Sequence, residues 1–100
     1  MERFVILFEA PIARADYDTI MKDVEASGTL QNENLLSHVA FERKGMWCVV
    51  DVWNSLESFQ HFAETVLKPT FQRLNLEVPP PTVLPAYRYE GAGAQKHVSA

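Results

Sequence analysis

An α+β fold with the element order βαββαβ is what this sequence of 100 residues predicts. Three observations carry it. Short β-branched and aromatic runs stand at the start, middle and end of the chain. Two stretches with apolar residues at helical spacing separate them. A glycine-containing break of hairpin length splits the central run. Strands in this order form an antiparallel sheet with both helices on one face, the ferredoxin-like arrangement.

The first strand is Arg3 to Phe8, halted by Pro11. Tyr17, Ile20, Met21 and Val24 then mark one face of a helix over 16–26. Asp16 is its expected N-cap, and Gly28 suits the position just past its end, where φ is often positive. Residues 29–34 are polar and linking. Leu35 to Glu42 and Met46 to Trp53 form a hairpin. Ser55 caps a second helix carrying Leu56, Phe59, Phe62, Ala63, Val66 and Leu67, which Pro69 should end or kink. A short helical piece with Phe71 and Leu74 follows. Pro79, Pro80 and Pro81 make a stiff extended connector, and the last strand is expected over Thr82 to Glu90. Residues 1–90 therefore read as one domain and 91–100 as a flexible C-terminal tail.

Composition narrows the function classes. A hydrophobic fraction of 47% with 22% charged residues is a globular mix. The net charge of −4 argues against nucleic-acid binding, which needs clustered Lys and Arg. Nothing approaches the roughly 20 apolar residues of a membrane span, so no membrane partner and a cytoplasmic location are expected. The single cysteine, Cys48, excludes an internal disulfide and a four-thiolate metal site. No nucleophile triad, phosphate-binding glycine loop or metal-ligand spacing is present.

The candidate site lies on the hairpin. With Lys44 and Gly45 as the two loop residues, His38 falls opposite Asp51. Alternation then puts Leu35, Ser37, Val39, Phe41, Met46, Cys48, Val50 and Val52 on one side of the sheet. Being almost wholly apolar, that side is expected to meet the helices, with Cys48 a buried, inert thiol. The other carries Leu36, His38, Ala40, Glu42, Trp47, Val49, Asp51 and Trp53. It is expected to turn away from the helices, beneath a second subunit or a bound small molecule. An Asp facing a His favours the imidazolium or fixes one tautomer, as general acid–base or ligand-orienting work requires. The same pair also suits a purely structural role. Trp47 and Trp53 are candidate ligand-stacking walls, as is Tyr87 on the last strand, and all three are equally intelligible as packing.

His38-Val39-Ala40, then Trp47 through Trp53, then Ser55 to Phe62 together resemble the antibiotic-biosynthesis-monooxygenase-like group of dimeric α+β barrel proteins. The resemblance spans residues 3–90 and carries no diagnostic catalytic signature. It implies a homodimer in which two sheets pack into a barrel, with a cleft in each protomer. It also implies chemistry on a small aromatic or enolisable compound without a cofactor. The haem-degrading branch departs from this sequence, because the first strand has no Asn and His61 falls on the solvent side of the second helix. Two functions follow. One is a cofactor-independent monooxygenase with His38 as base, Asp51 orienting it, and Trp47, Trp53 and Tyr87 around an aromatic ligand. The other is a non-catalytic binding or dimerisation module of the same fold.

Overall fold

The computed structural model describes residues 2–91. Strand β1 (Phe4–Ala10) is followed by helix α1 (Arg14–Ala26) and a 3₁₀ turn (Thr29–Gln31). The hairpin strands are β2 (Leu35–Arg43) and β3 (Met46–Trp53). Helix α2 (Leu56–Phe62) runs through a π-helical segment (Ala63–Leu67) into α3 (Lys68–Arg73), and β4 (Thr82–Pro85) closes the sheet. The strand order is β2-β3-β1-β4 with every pairing antiparallel, the ferredoxin-like arrangement. The tail expected over 91–100 lies, apart from Gly91, outside the described residues.

The hairpin turn sets the register. Lys44 at φ 51° and Gly45 at φ 76° are both left-handed, the type I′ geometry whose twist matches that of the flanking strands. Arg43 pairs with Met46, Phe41 with Cys48 and His38 with Asp51, as the two-residue loop requires. A bulge between Leu35 and Ser37 then inserts one residue. It places Leu35 opposite Trp53 and so on the His38 side, a side that simple alternation assigns to Leu36.

Several helix details differ from expectation for local reasons. Helix α1 starts two residues early. Asp16 is therefore its third residue, and its carboxylate accepts from the Ala13 N–H at 3.4 Å instead of capping from outside. Gly28 does take the left-handed position after the helix, at φ 79°. Ser55 caps α2 by accepting the Ser58 N–H at 3.1 Å. Pro69 does not end the second helix. The Lys68 N–H reaches back five residues to the Ala63 carbonyl. That widened turn takes up the ring that would otherwise clash with the preceding helical turn.

The faces are inverted relative to expectation. Phe4, Ile6, Phe8 and Ala10 of β1 share a side with Trp53, Asp51, Val49 and Trp47, and it is this side that the helices cover. Trp53 is 0% exposed and packs on Phe59 and Phe62 at centroid distances of 5.8 and 5.6 Å. Ile6, Ile20, Val24, Leu67 and Phe71 complete the core. The smoother side, with Val39 at 54% and Phe41 at 42% exposure, is uncovered. The indoles and the β1 aromatics supply the volume that two helices need to pack on. Of the polar groups buried with them, Asp51, His38 and the Trp53 N–H are paired with one another, which removes most of the cost of burying those three.

One buried-edge contact ties α1 to α3. Asp23 Oδ2 accepts from Thr70 Oγ1 at 2.7 Å and meets Arg73 Nη2 at 2.8 Å. The Thr70 hydrogen bond holds the Asp23 carboxyl below its ordinary value, and Arg73 acts in the same direction. A folded-state pKa that is depressed stabilises above the unfolded value and ceases to do so as pH falls through the folded one. The stability gap between wild type and Asp23→Asn is therefore expected to be present at neutral pH and to shrink below the ordinary carboxylate range. Urea midpoints measured across pH check this.

Candidate functional site

Four of the five sequence-predicted site residues come together on the helix-covered side. His38 Nδ1 lies 2.6 Å from Asp51 Oδ1, and Trp53 Nε1 donates to Asp51 Oδ2 at 3.3 Å. Asp51 is 4% exposed, with both oxygens engaged. An ionised carboxylate only accepts, so Nδ1 carries the hydrogen, and in the tautomer with a bare Nε2 that second nitrogen is an acceptor. That acceptor is met by a residue read from the sequence as plain helix core: the Tyr17 hydroxyl lies 2.6 Å from Nε2. The Tyr17 ring lies 5.0 Å from that of Trp47. The result is a continuous chain from carboxylate to imidazole to phenol, built from β3, β2 and α1.

The phenol is held in its neutral form. Burial pushes the Tyr17 hydroxyl above its ordinary value, and the negative charges of Asp51 and then Asp18 push it the same way. Trp47 adds a different feature, because its indole Nε1 is buried and has no hydrogen-bond partner among the described residues. An indole N–H only donates, so this group suits an incoming oxygen.

Tyr17, His38, Trp47, Asp51 and Trp53 all line one cavity of about 70 Å³ between the sheet and α1. Its remaining walls are mainly apolar, among them Met21, Leu30, Leu35 and Val49. Tyr87 is not part of it. Strand β4 stops at Pro85, four residues into the run expected to reach Glu90: Pro85 pairs with Phe4, the first residue of β1, and one last hydrogen bond runs from the Ala86 N–H to the Arg3 carbonyl at 2.8 Å. Tyr87 beyond it is fully exposed, in a separate surface hollow with Arg3 and Tyr89.

Cys48 is buried, but on the side away from the helices. Burial raises its thiol pKa, and nearby Glu9 raises it further against the opposing charge of Arg43. The thiol is expected to react with iodoacetamide far more slowly in the native protein than in the urea-unfolded chain, as mass spectrometry would read. His61 is exposed on α2. Among the described residues, no three or more His, Cys, Asp or Glu are grouped to hold a metal ion. No described helix is long and apolar enough to cross a membrane.

No family model and no curated protein matches the chain. Solved structures do. A provisionally named antibiotic biosynthesis monooxygenase from Caulobacter crescentus CB15 superposes with a TM-score of 0.61 at 14% identity, over 89% of this chain and 92% of that one. Another from Chloroflexus aurantiacus J-10-fl gives 0.61 at 12% identity, over 89% and 97%. SnoaB, a cofactor-independent oxygenase from Streptomyces nogalater, gives 0.56 at 11% identity, over 92% and 98%. Likeness at such identities is a likeness of backbone. The chain has the ferredoxin-like α+β fold of the antibiotic-biosynthesis-monooxygenase-like proteins.

Proposed function

We propose that the protein is a cofactor-independent monooxygenase-like enzyme acting on a small aromatic or enolisable compound. The observation that carries this reading is the Asp51–His38–Tyr17 chain ending at an apolar cavity. Removing a proton from a phenol or enol yields an electron-rich anion that donates electrons to oxygen directly. One oxygen atom enters the product and the other leaves as water. The protein then has to supply a base, an anion-holding donor and a site shielded from bulk water. His38 is the base, Asp51 positions it, and Trp47 and Trp53 form walls.

A homodimer belongs to the same reading. Val39, Phe41 and Leu84 stand exposed on one apolar sheet face with Val5, Leu7 and Val50 beside them. Exposed apolar surface of this kind marks an association site, and a second copy presents a face of the same shape and chemistry. The fold of SnoaB and its neighbours supports the oxygenase assignment by analogy of architecture alone.

A second reading, a binding or dimerisation module without turnover, is favoured by two specific observations. Both His38 nitrogens are already paired within the protein. The cavity of about 70 Å³ is also smaller than the ~150 Å³ that admits benzene in an engineered core. An aromatic substrate therefore enters only as the cavity widens. Oxygen uptake during aerobic incubation with a panel of phenols and hydroquinones separates the two. The enzyme reading expects uptake that falls about 10²- to 10⁴-fold in His38→Ala. Uptake unchanged in that variant removes the base, and no uptake with any compound leaves the module.

A further inference from the structure

His38 has no nitrogen left to offer a ligand. Asp51 occupies Nδ1 and the Tyr17 hydroxyl occupies Nε2, each at 2.6 Å. Tyr17 is different. Its oxygen gives one hydrogen to His38 and keeps acceptor capacity, and its side chain lines the cavity. The Trp47 ring lies 5.0 Å from the Tyr17 ring and Trp47 lines the same cavity, and its buried Nε1–H has no partner among the described residues. An acceptor and an unspent donor on two neighbouring rings match one functional group: an acidic O–H that gives up its proton and retains the charge on oxygen. A ligand that arrives as an anion is disfavoured, since Asp51 and Asp18 already place negative charge around Tyr17.

We propose that Tyr17 is a catalytic residue that meets a neutral planar phenol or enol directly and passes its proton to His38, while Trp47 Nε1 holds the resulting oxyanion. This assignment rests on the cavity being a phenol or enol site, and it moves the point of contact from the imidazole to the tyrosine. The substrate O–H breaks as a new O–H forms on Tyr17. The original Tyr17 O–H breaks as an N–H forms on His38 Nε2. A neutral substrate and neutral imidazole become an oxyanion and an imidazolium facing the Asp51 carboxylate, so charge is conserved. The two transfers are coupled, because burial and the neighbouring carboxylates oppose a free tyrosinate. The charged or titratable groups around the path are Asp51 on β3, Asp18 on α1 and His38 on β2.

Binding of 4-nitrophenol, whose anion absorbs in the visible, tests this without turnover. The measurement is made at a pH where the free compound is mainly un-ionised. Wild type is expected to bind it and develop the nitrophenolate band. Tyr17→Phe, which keeps the ring, is expected to bind it with the band lost. Trp47→Phe keeps the relay but lacks the donor, so its band is expected to weaken. The band retained at wild-type strength in Tyr17→Phe, or bound ligand without a band in wild type, overturns the relay while leaving the phenol site standing. No binding by wild type overturns the phenol site and the relay with it. Should Tyr17→Phe fail to fold, an undiminished band in Trp47→Phe still contradicts the proposed anion contact.

Discussion

Trp53→Ala is expected to destabilise the protein by about 3–5 kcal/mol, the range for truncating a large buried aromatic. Trp53 is 0% exposed and touches both aromatic residues of α2 that anchor the helix to the sheet. Its removal opens a void in a packed core and also takes the indole donor away from Asp51 Oδ2. Trp53→Phe separates the two losses. It retains much of the packing and leaves the buried carboxylate short of one donor, a cost of about 1–3 kcal/mol. Urea unfolding followed by far-UV circular dichroism gives both differences. An alanine variant within 1 kcal/mol of wild type would mean that the helices do not rest on this indole.

The double variant Val39→Glu, Phe41→Glu is expected to convert a dimer to a monomer in sedimentation equilibrium. Both residues lie on the uncovered side of β2, and neither contributes to the core beneath the helices. Placing unpaired carboxylates in a joined apolar face costs about 3 kcal/mol or more, which weakens dimerisation at least about 100-fold. The folded protomer should survive, because these positions face outward within it. A monomeric wild-type protein at micromolar concentration would contradict the assignment of this face.

How far the amino-acid pattern reaches is clearest at the hairpin. Lys44-Gly45 specifies a tight turn, the turn specifies the register, and the register brings His38 to Asp51. Which side of the hairpin meets the helices is a different matter. Judged by hydrophobicity alone, the valine-rich side looks like the buried one. The decisive pattern is in β1, where Phe4, Ile6, Phe8 and Ala10 are in phase with the tryptophans, while Glu9 falls on the opposite side. Polar residues count as buried-compatible once they satisfy one another, and such pairing is a property of the assembled fold. The role of Tyr17 is hidden in the sequence for a related reason. On α1 it continues the apolar stripe of Ile20, Met21 and Val24, and its partner His38 lies 21 residues away. A hydroxyl on an otherwise apolar helix face is the signal it leaves, and many packing tyrosines share it. The bulge at Leu35–Ser37 and the π-helical turn before Pro69 leave no comparable mark, since each is a local concession to packing. Tyr87 falls outside β4 because that strand ends opposite Phe4, where β1 begins, and the extent of a partner strand is not written in the run Thr82 to Glu90 itself.

The imidazole itself offers the most direct view of the site. Nitrogen-15 correlation spectra of the ring, with His38 identified by its loss in His38→Ala, should show a protonated Nδ1 and an unprotonated Nε2 in the free protein. Titration with a soluble hydroquinone under nitrogen should then move the His38 signals and leave the methyl signals of Val39 and Val50 in place. Perturbation of those two valines with an unmoved His38 would put the ligand on the uncovered face of the sheet and empty the cavity beneath α1 of any role.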